Sequence, residues 1–423
     1  MGVKLLGLAG LAGLLAAGAF VVPAAQTAPE QPPVAPAAVD PRSLPPLGAW
    51  QIEALTTDSF TWDWPDGKGG DISYGGGALG VSEDGKYLYI SCVQDHAGIA
   101  KLEIPADNSQ AAVAAPCLGP NKIELAKIHP DKSAFRPMLG GVIELNGRIC
   151  VSGYISYDAS GGATASHWCG PSLTQLTGPL SGTVAPGLVG GPMAPVPQEW
   201  RALLGGPALT SLYLRSIVSR SSYGFTASVF DPAKATESPV EMTMLIGCPH
   251  SEPSCQTYGA ATSNDYNGSE LSGGYFIVPG TRTLVAIERE SSGPTCYGYT
   301  TRNKADHEKP YKDAVYCYSL SDPLDQKGPK GYPYRLVAKL YDLADLLDVK
   351  DGKRAPWEVK QYATVDMPGS NAGEFVTSGA FNPLTGDYYL LRNVGGGVNT
   401  VHVYRGFPKA GDAPRTSPAR VRK

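Results

Sequence analysis

The sequence predicts an all-β fold, a β-propeller, on three observations. Turn-forming residues are abundant, with 51 Gly and 37 Pro in 423 residues beside 22 Tyr, a balance that suits many short strands better than helices. A strand–turn–strand pattern opening on Gly-Gly or Ser-Gly recurs along the chain. Two of its turns carry Asp84-Gly85 and Asn146-Gly147, dipeptides favoured in two-residue hairpins whose central positions need positive φ.

Four stretches carry the pattern plainly: GGALGVSEDGKYLYISCV (76–93), GGVIELNGRICVSGYISY (140–157), GGYFIVPGTRTLVAIERE (273–290) and SGAFNPLTGDYYLLRN (378–393). A third strand is read after each, in GIAKLEIP, TASHWCG, AVYCYSLS and TVHVYRG. A fifth, weaker unit is GGPALTSLYLRSIVSRSSYGFTASVFDP (205–232). The units start at 76, 140, 205, 273 and 378, so successive starts lie 64, 65, 68 and 105 residues apart. Long, irregular repeats of this kind predict five four-stranded blades. The last interval has room for a sixth, where YRLVAKLYDLADLLDVKDG reads as an outer strand and a short helix over 345–349. Paired β-sandwiches are the alternative, whereas the irregular spacing argues against a solenoid.

The flanking segments place the protein outside the cytosol. Lys4 precedes an apolar run, LLGLAGLAGLLAAGAFVV, and small residues at Ala24 and Ala25 follow it. Such an order reads as a cleaved secretory signal peptide over 1–25, with no membrane span left after cleavage. Residues 26–49 are a Pro/Ala-rich linker, 50–407 the propeller domain, and 408–423 a basic, apolar-poor disordered tail. Export, to the periplasm or the exterior of a bacterium, turns the eight cysteines into a disulfide framework. Neighbour-to-neighbour pairing, Cys92–Cys117, Cys150–Cys169, Cys248–Cys255 and Cys296–Cys317, is the simplest. With no C-x-x-C pair, a zinc site has no support. A net charge of −4 gives nucleic acid no electrostatic foothold.

Several segments also resemble a group of exported bacterial proteins of uncharacterised activity: ASHWCG, VPQEWRALLGGPALT, SRSSYGFTASVFDP, SSGPTCYGYTT, YPYRLVAKLYDLADLL, APWEVKQYAT and GAFNPLTGDYYLLRN. The resemblance runs from about Tyr74 to Tyr404. It implies one integrated fold and brings no catalytic residues with it. A likeness to five-bladed propeller glycosidases rests on architecture alone, which does not carry function.

The propeller frame localises a site. Strands run A to D outward from the axis, so B–C and D–A loops open on one face and A–B and C–D loops on the other. The B–C segments VQDHAG, SYDASGGAT, ERESSGPTCYG and RNVGGGVN bring Asp95, His96, Tyr157, Asp158, Glu288, Arg289, Glu290, Arg392 and Asn393 to one mouth. Asp84, Lys86, Asn146 and Arg148 fall on the opposite face. Asp95, Asp158 and Glu288 are the candidate catalytic carboxylates; His96, Tyr157, Arg289, Arg392 and Asn393 are candidate ligand-binding side chains. Arg215, Arg220 and Tyr223 in the weaker unit could add an anionic or carbohydrate pocket. Glu288 and Glu290 alternate with Arg289, so the two carboxylates share one face of their strand.

Other motifs are thinner. DGKGGD (66–71) lacks the spacing of a calcium loop, and no nucleophile elbow, H-E-x-x-H or phosphate loop is present. Trp62 and Trp64 would share a strand face as a sugar platform or as buried core. In SGYISYDASGGATASHWCG (152–170), Cys150 facing Cys169 sets Ser152 opposite His167 and puts the turn at 158–161. His167 is then scaffold, too far from Asp158 for a relay. The functional expectation is an extracellular small molecule or glycan bound at the axial B–C face. The alternatives are a glycoside hydrolase using the axial carboxylates and a calcium-assisted lactonase-like enzyme. No cofactor is predicted, although a calcium ion could serve.

Overall fold

The computed structural model describes residues 40–63, 77–92, 98–107, 109–131, 135–213, 219–255, 268–322, 324–369, 375–393 and 400–412. Strand β1 (Thr56–Thr61) comes first and is used last, at the outer edge of the final sheet. Blade I is β2 (Leu79–Val81), β3 (Tyr87–Ser91), β4 (Ile99–Glu103) and β5 (Val113–Leu118). Blade II is β6 (Phe135–Leu145), β7 (Arg148–Tyr157), β8 (His167–Gly170) and β9 (Thr177–Leu180). Blade III is β10 (Met193–Pro195), β11 (Ala208–Thr210), β12 (Ala227–Phe230) and β13 (Met242–Ile246).

Blade IV opens with β14 (Leu271–Ile277) and β15 (Thr283–Ser291). The chain then leaves it for a separate sheet of β16 (Cys296–Thr301), β17 (Pro310–Tyr311), β18 (Ala314–Tyr318) and β19 (Lys327–Lys330). It returns for β20 (Tyr334–Asp342) and β21 (Ala363–Asp366). Blade V is β22 (Phe375–Asn382), β23 (Asp387–Asn393) and β24 (Thr400–Arg405), with β1 antiparallel to β24 from Thr56↔Arg405 to Thr61↔Thr400.

The inner strands form a closed ring, β2 beside β6, β6 beside β10, β10 beside β14, β14 beside β22 and β22 beside β2. An apolar cluster fills each of the five joints. Leu79, Leu88 and Val401 pack between blades V and I; Leu139, Val151 and Ile99 between I and II. Ile143, Met193 and Phe230 lie between II and III. Trp200, Phe225 and Tyr341 lie between III and IV, and Phe276, Phe381 and Tyr388 between IV and V. This is a five-bladed propeller.

The recurring Gly-Gly pairs are what let the inner strands meet. A Cβ on Gly140 would overlap the Gly190 carbonyl oxygen, and one on Gly274 the Gly379 carbonyl oxygen. Gly274 also holds φ +98°, a left-handed conformation that costs an L side chain dearly. Register shifts fall at the same places, between Leu139 and Gly141 and between Ser272 and Tyr275, so the ring closes through glycine bulges.

Five sequence expectations need correction. In the third unit AVYCYSLS is β18 of the inserted sheet, and the third strand is β20. The long last interval therefore holds an insertion in the B–C connection of blade IV, and β20 is an inner partner of β15 rather than an outer strand of a sixth blade. In the weaker unit, the strands read as first and second are β11 and β12; the inner strand is β10, after Gly190-Gly191. Asn146 and Gly147 do take φ 52° and 68° in a two-residue turn. Asp84-Gly85 instead sits in a longer loop in which only Gly85 has positive φ. The helix after β20 spans Leu343–Lys350, capped by Asp342 accepting from Ala344 N.

All four disulfides join neighbouring cysteines, Cys92–Cys117, Cys150–Cys169, Cys248–Cys255 and Cys296–Cys317. Leu44 and Leu47 are already buried against blade IV, and Leu47 N donates to Thr283 Oγ1 at 2.8 Å. The packed chain thus begins ahead of Trp50.

Candidate functional site

Asp158 ends β7 and begins the B–C turn of blade II. Its carboxylate accepts from Gly162 N (2.8 Å), Ala163 N (3.0 Å) and Ser160 Oγ (3.3 Å), and His129 Nε2 lies 3.3 Å away. Burial opposes its ionisation, but the Ala163 and Gly162 N–H groups and His129 outweigh it and hold the carboxyl below its ordinary value. The side chain staples its loop. The cavity beside it, between blades II and III, is only about 10 Å³, barely room for one water. Tyr154 and Tyr213 fill the space, stacked with centroids 4.8 Å apart. Tyr157, by contrast, is 55 % exposed.

Glu288 and Glu290 do share a face. Lys339 on β20 reaches both, at 2.9 Å and 3.3 Å, and Arg335 Nε donates to Glu290 at 2.8 Å. Arg289 points the other way and is buried. It donates to Asp322 Oδ1 (3.2 Å) and Ser269 O (2.8 Å), with its guanidinium 3.8 Å over the Tyr334 ring. Tyr334 and Ser319 hydroxyls donate to the other Asp322 oxygen at 2.7 and 2.8 Å. Burial raises Asp322, yet Arg289, Lys330 and these hydroxyls hold it below its usual value; burial pushes Tyr334 up to about 12. Arg289 is a clamp that ties the insertion to blade IV. The structure thus puts Asp158 on blade II and Glu288 on blade IV, each engaged with its own partners.

The remaining candidates divide. Arg392 and Asn393 end β23, where Arg392 pairs with Thr400 and Val376. Arg220 Nε donates to Ala159 O, joining the B–C loops of blades II and III. Trp62 is buried and bridges to Ala111. Asp95, His96, Arg215, Trp64 and the 66–71 loop lie outside the described residues. Among the described residues no three His, Cys, Asp or Glu side chains converge on a metal-sized site.

The feature that stands toward solvent on the B–C side is the inserted sheet. Cys296, Gly298 and Cys317 turn inward, where the disulfide and the Arg289 clamp lie. Alternation and the pairing Tyr299↔Tyr316 and Tyr311↔Ala314 put Tyr297, Tyr299, Tyr311 and Tyr316 on the other face. Tyr311 stacks on Tyr316 at 4.1 Å and meets Tyr299 edge-on at 5.3 Å. Tyr297 is 57 % exposed. Lys312 lies 4.8 Å over Tyr299 and Lys327 5.9 Å over Tyr297. Their charges are balanced by Asp325 (2.8 Å) and Asp313 (2.5 Å). Lys327 and the Tyr299 hydroxyl hold Asp313 down to about 2. The spacing C-Y-G-Y-T, with same-face tyrosines at i and i+2, was the available sequence signal for this face.

No family model matches the chain, and no curated protein matches it in sequence. Among solved structures it is similar to a glycosyl hydrolase from Bacteroides ovatus, at 9 % identity and TM-score 0.38, over 79 % of this chain and 84 % of that one. It is also similar to the Bacillus subtilis arabinanase, at 9 % identity and TM-score 0.39, over 77 % and 92 %. A third likeness is to the Pseudomonas aeruginosa periplasmic gluconolactonase, at 13 % identity and TM-score 0.29, over 70 % and 71 %. The fold assignment rests on the closed strand ring rather than on these.

Proposed function

We propose that this is an exported saccharide-binding propeller that holds a neutral glycan on the tyrosine face of the blade IV insertion. The observation that carries the reading is that face itself. Exposed aromatic rings beside hydrogen-bonding groups suit a ligand with apolar ring faces and polar edges. Tyr297 offers the most open ring. The paired Lys312–Asp325 and Lys327–Asp313 groups supply donors and acceptors without net charge, which favours neutral over acidic polymers. The four disulfides fit the oxidising compartment in which such a polymer would be met.

Affinity electrophoresis against soluble xylan, mannan and β-glucan tests the proposal. At least one polymer should retard the protein, and Tyr297→Ala should weaken retardation about tenfold while leaving the melting temperature unchanged, because the ring is exposed. Retention of full binding by the Tyr297→Ala/Tyr299→Ala variant, or retardation by none of the polymers, overturns it. A reducing-sugar assay on the same polymers, with Glu288→Gln as control, reports whether the bound glycan is also cut.

A further inference from the structure

A second concavity lies between blades III and IV, apart from the tyrosine face. It measures about 380 Å³ and is lined in part by Tyr223, Tyr341, Trp357, Lys339, Lys360 and Gln361. That volume falls in the ~300–1,000 Å³ range of small-molecule sites. Lys339, 5 % exposed, reaches this cleft, backed by Glu288 at 2.9 Å and Glu290 at 3.3 Å. Taking such a trio out of water is costly, and apolar side chains would join β15 to β20 at least as well. Buried charge at the wall of a cleft is a mark of sites that bind.

The lining selects the chemistry. Among the described residues, the charged side chains on its lining, Lys339 and Lys360, are ammonium groups, and the buried Glu288 stands behind Lys339. Tyr223, tilted against His250 with centroids 4.1 Å apart, forms aromatic wall together with Tyr341 and Trp357. Gln361 adds a neutral donor and acceptor. We infer that the cleft binds a small sugar acid. Its carboxylate lies toward Lys360, because Lys339 is already matched by Glu288 and Glu290, its carbon skeleton lies against Trp357, and its hydroxyls toward Gln361 and the Tyr223 hydroxyl.

Titration of the whole protein with sodium glucuronate and sodium gluconate, followed by tryptophan fluorescence and calorimetry, tests this. At least one acid should bind saturably, and glucose at least tenfold more weakly. Lys360→Ala, at an exposed position, should weaken the acid about tenfold, and Trp357→Ala should abolish binding. Lys339→Met is avoided, because it takes a cation away from the buried Glu288 carboxylate. Tyr297→Ala should bind the acid normally, which separates this site from the glycan face. Binding of neither acid, or affinity unchanged in both variants, overturns the inference. Loss with Trp357→Ala but not Lys360→Ala, or equal affinity for glucose, overturns the assignment of a carboxylate.

Discussion

The His167 ring is 1 % exposed, with Ser166 Oγ 2.8 Å from Nδ1, Thr210 Oγ1 3.3 Å from Nε2 and the Phe230 ring edge-on at 5.5 Å. Burial lowers its pKa to about 4. An unfolded histidine takes up its proton near ~6.5. Between those values the unfolded chain binds a proton that the folded one refuses, so stability falls as pH drops from ~6.5 to ~4, by on the order of 3 kcal/mol for this one side chain. His250, lowered to about 4 by burial and by Arg220, acts in the same sense. Urea denaturation at pH 7 and pH 4.5 should show the loss, and His167→Gln should reduce it; an unchanged slope would refute the assignment. At this scale the sequence revealed which side chains face each other across a hairpin, because Cys150, Cys169 and a period of two determine the register. It could not reveal partners reached across other elements. Asp158 meets His129 29 residues away, and Arg289 meets Asp322 33 residues away. Strand alternation names a face but not what packs on it.

Among elements, the inner strands make the sharpest demand. Gly140 and Gly147 lie on either side of one hairpin arm, yet for different reasons. At Gly140 the obstacle is space, since its Cβ would overlap Gly190 O. Gly147 has nothing within 4 Å but holds φ +68°. Gly147→Ala should therefore cost about 1–2 kcal/mol, while Gly140→Ala should cost more than about 3 kcal/mol or prevent folding. Thermal melts of the two variants decide it, and equal losses would remove the steric account. The glycine pairs were legible in the sequence as blade markers, with one false match at 205–206 that opens β11. The insertion was not legible, because β16 and β18 carry the same alternating aromatic pattern as a blade strand. Only the 105-residue interval hinted at extra chain.

At the scale of the molecule, the ring is held at every joint by apolar packing and at one joint by chain order. Phe60 on β1 is 3 % exposed and meets Tyr389 edge-on at 6.4 Å. Starting the chain at Trp62 would remove that contact, the six pairs with β24 and the buried Leu44, Leu47, Ile52 and Leu55. Such a protein should lose several kcal/mol, since one buried Phe contributes about 2–3 kcal/mol, and should associate through the bare edge. Melting and size-exclusion measurements at several concentrations check both effects; a monomer of unchanged melting temperature would show that β1 is dispensable. The same arrangement bears on how the protein is made. Residues 56–61 leave the ribosome long before their partner at 400–405. Local blades can form on the way, but the clasp cannot, so the slow, long-range step is placed last. A nascent chain therefore stays unlocked, and open to holding factors or proteases, until residues 400–405 have emerged.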